Sequence, residues 1–234
     1  MAIAFDAQVS KTDLTQPSSV TQSHTVTGSN TYLFVHWGLT AGTVGNVTAC
    51  TYNGVSMGTA LWSIQPTGHG LRSVGFGLKG AATGAHNVVG TISGANDGVT
   101  VTIVSYTGVD QTTPIGTVVT ANSGAGTSAS ASITVSSATG ELVLGGVIIG
   151  NAATSITIGA GQTQRSAANL IVSNGEHDNR ADEEAGAASV THSWTWTGAT
   201  DWVLGGFPLK PAGGAAATSR PVFPQPRRFY SYRR

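Results

Sequence analysis

The sequence predicts an all-β protein, a single two-sheet antiparallel sandwich of jelly-roll type with an extended C-terminal arm. Three observations carry that expectation. Charged residues make up only 9% of the 234-residue chain, and Lys and Glu, which normally populate exposed helix faces, are scarce. The chain holds 32 glycines among abundant Thr and Val, residues suited to turns and to pleated, half-buried surfaces. Short apolar runs recur between turn formers along nearly the whole length.

Taken in order, the first expected strand is Ser23–Thr27, closed by the turn former Thr27-Gly28-Ser29-Asn30. Tyr32–Leu39 is a long apolar run, and Val47–Tyr52 ends at Asn53-Gly54, a strong hairpin signal. Ala60–Ser63, Ser73–Leu78 and Ala85–Ile92 are set apart by Thr67-Gly68 and Thr83-Gly84. Thr100–Tyr106 follows the turn cluster Ser93–Gly98, and the alternation through Val99–Val104 puts every second side chain on one face. Ser130–Val135 leads into Leu142–Ile149, which is apolar on both faces as a central, doubly covered strand is. Ser155–Ile158, Asn169–Ser173, the alternating Val190–Thr197 and Trp202–Leu209 complete the series. Many short strands at this spacing suit a two-sheet sandwich.

Three zones divide the chain: a β body over 1–210, a flexible Gly/Ala linker over 211–219, and a Pro-, Arg- and aromatic-rich arm over 220–234. The formal charge is zero, but it is unevenly spread. The body carries six Lys and Arg against all eleven acids, a balance of −5, and the arm carries five Arg and no acid. A body so poor in charge is readily explained if copies of itself or a partner cover its surface; the alternative is a monomer coated in Ser, Thr, Asn and Gly. Cys50 is the one cysteine, which excludes an intramolecular disulfide framework and a thiolate metal cluster. The first residues lack a signal-peptide pattern and no run reaches the roughly 20 apolar residues of a membrane span. The expectation is synthesis in the cytosol with no membrane partner.

The chain also echoes itself. Thr25–Thr40 (TVTGSNTYLFVHWGLT) and Thr134–Asn151 (TVSSATGELVLGGVIIGN) each read as a short Thr-Val strand, a turn and a long apolar strand. Either two related halves contribute similar hairpins to one sandwich, or this is the ordinary reuse of hairpins in such folds. The segments AFDA, SHTVTGSNTYLFVHWGL, CTYNGVSM, TGAHNVVGTISG, VSYTGVDQTTPIG and WTWTGATDWVLGGFPLKPA, together spanning about residues 2–212, resemble a loosely defined group of β-sandwich proteins. These occur in bacteriophage genomes and in some bacterial surface proteins. The resemblance implies a non-enzymatic virion or surface role and carries over no catalytic residues.

Chemical motifs are few. Gly54-Val55-Ser56-Met57-Gly58 matches G-x-S-x-G, but Asn53-Gly54 reads as a β-turn with no helix after it, so Ser56 is not expected to be a nucleophile. Glu176–Glu184 is the densest polar cluster and reads as a solvated loop, with Asp178, Asp182 and Glu184 as the oxygen ligands if it held Ca²⁺. The histidines 24, 36, 69, 86, 177 and 192 show no zinc spacing, and His36 and His192 fall within expected strands as packing residues. Asp97 and Asp110 sit where turns are expected. No phosphate-cradling loop or dinucleotide motif is present, so no cofactor is expected.

Trp194 and Trp196 share a strand face, which serves either as a glycan-stacking platform or as sandwich core; Trp62, Trp202 and Tyr106 extend that choice. In the arm, Arg220, Phe223, Arg227, Arg228, Phe229, Tyr230, Tyr232, Arg233 and Arg234 alternate guanidinium and aromatic groups, and Pro221, Pro224 and Pro226 keep it extended. Such an arm suits docking on an acidic neighbour; a disordered terminus is the plainer reading, and nucleic acid is a weaker partner without a basic body. The functional expectation is therefore a virion structural protein, a capsid decoration or cementing protein or a head or tail fibre component. It would act as a homo-oligomer, with a trimer favoured. The alternatives are a receptor- or glycan-binding module and, less well supported with eleven acids, a two-carboxylate glycan hydrolase.

Overall fold

A computed structural model describes residues 1–150, 154–170 and 176–213. The chain is all-β, as expected, with four antiparallel sheets rather than two. Seventeen strands among the described residues build them. The first nine are β1 (Ala4–Asp13), β2 (Ser19–Val26), β3 (Tyr32–Thr40), β4 (Asn46–Tyr52), β5 (Val55–Ser56), β6 (Trp62–Ile64), β7 (Leu71–Lys79), β8 (Gly84–Ser93) and β9 (Gly98–Thr107). The remaining eight are β10 (Val119–Asn122), β11 (Ser128–Val135), β12 (Leu142–Gly150), β13 (Thr154–Ile158), β14 (Thr163–Leu170), β15 (His177–Ala185), β16 (Val190–Thr200) and β17 (Trp202–Leu209).

The pairing is nested. In the first lobe β1 pairs with β9, β2 with β8, β3 with β7 and β4 with β5. Two further pairings, β3 with β9 and β4 with β8, join these hairpin arms into the sheets β1-β9-β3-β7-β6 and β2-β8-β4-β5. The second lobe repeats the plan with β10 on β17, β11 on β16 and β12 on β15, giving the sheets β10-β17-β12-β15-β14 and β11-β16-β13. The central strands match residue for residue: Tyr32 lies opposite Lys79 and Tyr106, and Leu142 lies opposite Ala185 and Leu209. The internal echo thus marks β2–β3 and β11–β12. It reflects two lobes of common topology, each a sandwich, where a single sandwich had been expected.

Each lobe has its own core. Leu33, Val35, Trp37, Cys50, Tyr52 and Phe76 fill the first, and Ile133, Val143, Val147, Trp194, Trp196 and Leu204 the second. Size is complementary within each lobe. The Trp37 ring lies over Gly90, where an added Cβ would come to 2.5 Å. A third cluster, including Tyr32, Phe34, Trp62, Tyr106, Leu144 and Phe207, joins the two five-stranded sheets face to face. The contacts there come in exchanged pairs, β3 on β15 with β12 on β7, and β9 on β15 with β17 on β7, the pattern of an approximate two-fold axis between the lobes. The layer order is outer sheet, inner sheet, inner sheet, outer sheet. Residues between β9 and β10 connect the lobes along β17, with Val109 bridging Pro211 and Ile115 bridging Leu209.

Besides the short strands β5 and β10, which were not expected, three elements depart from expectation. β1 has no alternation to announce it because most of its residues are half-buried on both faces. β14 runs over Thr163–Leu170 instead of starting at Asn169. The polar run expected to be a solvated loop is strand β15, and its charges can sit in a sheet because Arg165, Arg180 and His192 lie against them. At the C-terminus, Ala212 NH donates to the Gly108 carbonyl and the Met1 ammonium donates to the Ala212 carbonyl, so the body extends two residues into the expected linker. Replacing Gly90 with Ala forces Trp37 out of place. We expect it to lower stability by about 1–3 kcal/mol, measured from the denaturant midpoint, with β content retained by circular dichroism.

Candidate functional site: a buried seam between the lobes

The inner sheets meet along alternate residues of their central strands. From β3 these are Tyr32, Phe34, His36 and Gly38, and from β12 they are Leu142, Leu144, Gly146 and Ile148. At two of these four levels a large side chain of one lobe meets glycine of the other, His36 against Gly146 and Ile148 against Gly38. A Cβ on Gly146 would come to 2.8 Å of His36 Nδ1, and one on Gly38 to 2.6 Å of Ile148 Cδ1 and 2.8 Å of His177 Nε2. Trp62 is seated in the same way over Gly75 and Gly205. Close approach of the two backbones requires glycine at these positions.

One half of the seam is aromatic. Phe34 meets Phe207 edge to face at 5.3 Å between centroids and lies 5.7 Å from Trp62, whose ring is 5.6 Å from His36. The other half is a polar network with no solvent access. Trp62 Nε1–H donates to Ser73 Oγ at 2.8 Å, and His36 Nε2 lies 2.8 Å from the same oxygen. Asn179, fully buried, donates to the His36 carbonyl at 3.0 Å and to Thr100 Oγ1 at 3.2 Å, and its Oδ1 accepts from Thr102 Oγ1 at 3.3 Å. The Thr100 hydroxyl, with Asn179 donating to it, also lies 2.7 Å from His177 Nε2 and 3.5 Å from the Gly38 carbonyl. Burial pushes both imidazoles down to about 3, because an imidazolium would lose its hydration there. The Nδ1 atoms of His36 and His177 have no hydrogen-bond partner among the described residues.

A charged contact closes the far end. Arg165 pairs with Glu183, and its guanidinium carbon stands 4.3 Å from the centroid of the Phe5 ring of the other lobe. Phe5 in turn meets Tyr106 edge to face at 5.9 Å, and burial beside Glu183 raises the Tyr106 phenol well above its ordinary value.

Comparison with known proteins finds no matching family model, curated protein or solved structure.

The residues singled out from sequence are scattered. Trp194 and Trp196 are 1% and 6% exposed inside the second core, so the platform reading is corrected: alternation put both rings on one face, and that face is the interior. Trp196 Nε1 donates to the Ser128 carbonyl and Trp202 Nε1 to Ser128 Oγ. The possible Ca²⁺ ligands do not converge. Asp178 pairs with Arg180, the buried Asp182 carboxylate lies 2.7 Å from His192 Nδ1 and accepts from Gln162, and Glu184 stands beside Gly161. No cluster of three metal-ligating side chains exists among the described residues. Ser56 lies in the two-residue strand β5 after a tight turn with Asn53 and Gly54 at φ 51° and 73°, and its Oγ accepts from Gly58 NH, so the nucleophile elbow has no helix to sit on. Asp110 does turn chemistry, accepting from Thr112 and Thr113 NH at 2.6 and 2.9 Å. All nine arm residues, Arg220 to Arg234, lie outside the described residues.

Sequence reasoning missed the seam. The available signal was His36 inside an otherwise apolar strand, together with the glycine pairs Gly145-Gly146 and Gly205-Gly206 in its counterparts. Replacing Asn179 with Ala leaves the His36 carbonyl and the Thr102 hydroxyl without their buried partner. The expected loss is about 2–4 kcal/mol in denaturant unfolding.

Proposed function

We propose that the chain is a bacteriophage virion structural protein, a capsid decoration or cementing subunit or a fibre component, built from two jelly-roll lobes and assembled as a homo-oligomer. The observation that supports this most is where the charge is not. Neither outer sheet has a single Asp, Glu, Lys or Arg in its strands: β2, β4, β5 and β8 in one lobe and β11, β13 and β16 in the other are all free of them. Every charged strand residue lies in an inner sheet, and several are spent on internal pairs such as Arg165–Glu183 and Arg180–Asp178. Ordinary solvent-facing sheets alternate apolar with charged residues. These outer faces alternate apolar with hydroxyl, as in Ile133 and Val135 beneath Ser132 and Thr134 on β11. Such a face loses little hydration when covered, since no ion has to be stripped of water.

The broad features agree with this reading. The duplicated lobes give one chain two uncharged faces on opposite sides, so it can meet a neighbour through either. The linker that leads to the basic arm at Arg220 leaves the body just beyond Ala212, which is hydrogen-bonded to the body next to Met1, and an acidic body on a neighbouring copy is a complementary surface for the arm. The resemblance to phage and bacterial-surface β-sandwiches points the same way, as an analogy of strand and turn signatures. A glycan platform made from Trp194 and Trp196 has no exposed ring to offer.

The test is molar mass by light scattering on three proteins: the full chain, a truncation after Gly213, and the full chain with Thr21→Lys and Thr195→Lys. The reading expects an oligomer for the full chain, dissociation on adding the two lysines, and an unfolding midpoint within about 0.5 kcal/mol of the parent. It expects the truncation to lose binding to purified phage shells. A full chain that stays monomeric at all concentrations and ignores the shells would end it.

A further inference from the structure

We propose that the seam between the lobes is an acid-opened joint: protonation of His36 and His177 parts the two inner sheets while each lobe stays folded. The geometry makes the seam the place where a proton does most damage. Both rings are at most 1% exposed and lie on opposing sheets. His36 is clamped against Gly146, and His177 against Gly38, with no room for even a methyl group and so none for a hydrating water. A second proton on His177 either leaves its Nδ1–H without an acceptor among the described residues or turns its Nε2 from acceptor to donor toward Thr100. On His36 the loss of hydration outweighs the hydrogen bonds that Asn179 and the Arg180 carbonyl offer the charged ring. Two cations would then face each other across a layer lined by Phe34, Trp62 and Ile148.

No carboxylate answers them. The side chains that β6, β7, β9, β12 and β15 turn toward the two rings are Trp62, Ser73, Thr100, Ile148 and Asn179, all neutral. Asp178, Arg180 and Asp182 point to the opposite face of β15, and Arg72 to that of β7. Asp97, Glu176 and the His69–Asp201 pair lie around the strand ends, and Arg165–Glu183 closes the far end. The separate cores of the lobes supply the second half of the inference, because breaking the third cluster leaves the nested pairing inside each lobe intact.

The sign follows from the neutral state of the folded rings. Both titrate near 6.5 when exposed and near 3 when buried in the seam. The seam is fully stable above the higher value and weakens as pH falls from 6.5 toward 3. This is a trigger in the range of an acidified compartment.

The experiment scans the full chain from about pH 7.5 to 3.5 by small-angle X-ray scattering. Alongside it runs near-ultraviolet circular dichroism of the full chain with the seam's Trp62 replaced by Phe, so that the remaining tryptophans Trp37, Trp194, Trp196 and Trp202 report the lobe cores. The expected result is an increase in radius of gyration at a pH where the tryptophan signal is unchanged. His36→Gln with His177→Gln should move that opening at least tenfold in proton concentration toward acid. His24→Gln should not move it: His24 is also a buried imidazole, held down to about 4 by burial, but it sits inside the first lobe against Ser105. Gly146→Ala, which wedges His36 directly, should open the seam at neutral pH and supplies the open reference if the double variant does not fold. Expansion that coincides with loss of the tryptophan signal, no expansion down to pH 3.5, or a histidine double variant that opens where the parent does would each overturn the proposal.

Discussion

Two five-stranded sheets can lie face to face at backbone-close distance here because a large side chain on one is met by glycine on the other. His36 over Gly146, Ile148 over Gly38 and Trp62 over Gly205 are the fixed points of that contact. Everything else in the arrangement follows from it. The nested pairing puts β3 and β12 at the centre of the inner sheets, and the outer sheets close each lobe from behind. The polar groups that glycine brings near, among them the His36 carbonyl and the Thr100 hydroxyl, must then be satisfied inside the protein, and Asn179 does so with three hydrogen bonds. A seam of this kind tolerates little error, since the space is too small for water and the groups too polar to be left alone.

Duplication explains why such a seam can exist. A dimer of identical lobes with a two-fold axis must place the same residue at both equivalent positions. His36 and Gly146 occupy equivalent places on β3 and β12, as do Gly38 and Ile148, and they touch across the approximate axis. Two histidines or two isoleucines would collide there, and two glycines would leave a void. Joining the lobes in one chain lets the pair become unequal, large against small. The same freedom appears within the lobes, where Trp37 on an inner strand faces Gly90 on an outer one in the first, while the bulky Trp196 is carried by the outer strand in the second.

The distribution of charge is the other consequence of four layers. In a two-layer sandwich each sheet has a wet face and a dry one. Here the inner sheets are covered on both faces, and yet they carry the charged strand residues, held by local partners such as Arg165 for Glu183 and His192 for Asp182. The outer faces are left to Ser and Thr. An uncharged surface of this kind costs little to cover, because no ion has to be stripped of water.

Much of the fold was legible because it rests on local chemistry. The β class, most strand positions, the turn at Asn53-Gly54, the turn role of Asp110 and the repeated hairpin of β2–β3 and β11–β12 all follow from residue types and their spacing. Period-two alternation also showed that Trp194 and Trp196 share a face, but alternation says nothing about whether that face is wet, and only the closure of the second sandwich put it inside. Charge misled at β15, because a run such as His177–Glu184 reads as solvated until Arg165 and His192, distant or following in sequence, are brought beside it. The seam was beyond sequence for the same reason. His36 and Gly146 are separated by more than a hundred residues, and a histidine beside a glycine means nothing until two sheets are stacked. Sequence by itself determined which segments extend and turn, since those choices are made by neighbours along the chain. The tertiary structure alone decided which faces are buried, which charges are paired and where the two lobes lock, since those depend on residues that meet only once the sheets are packed.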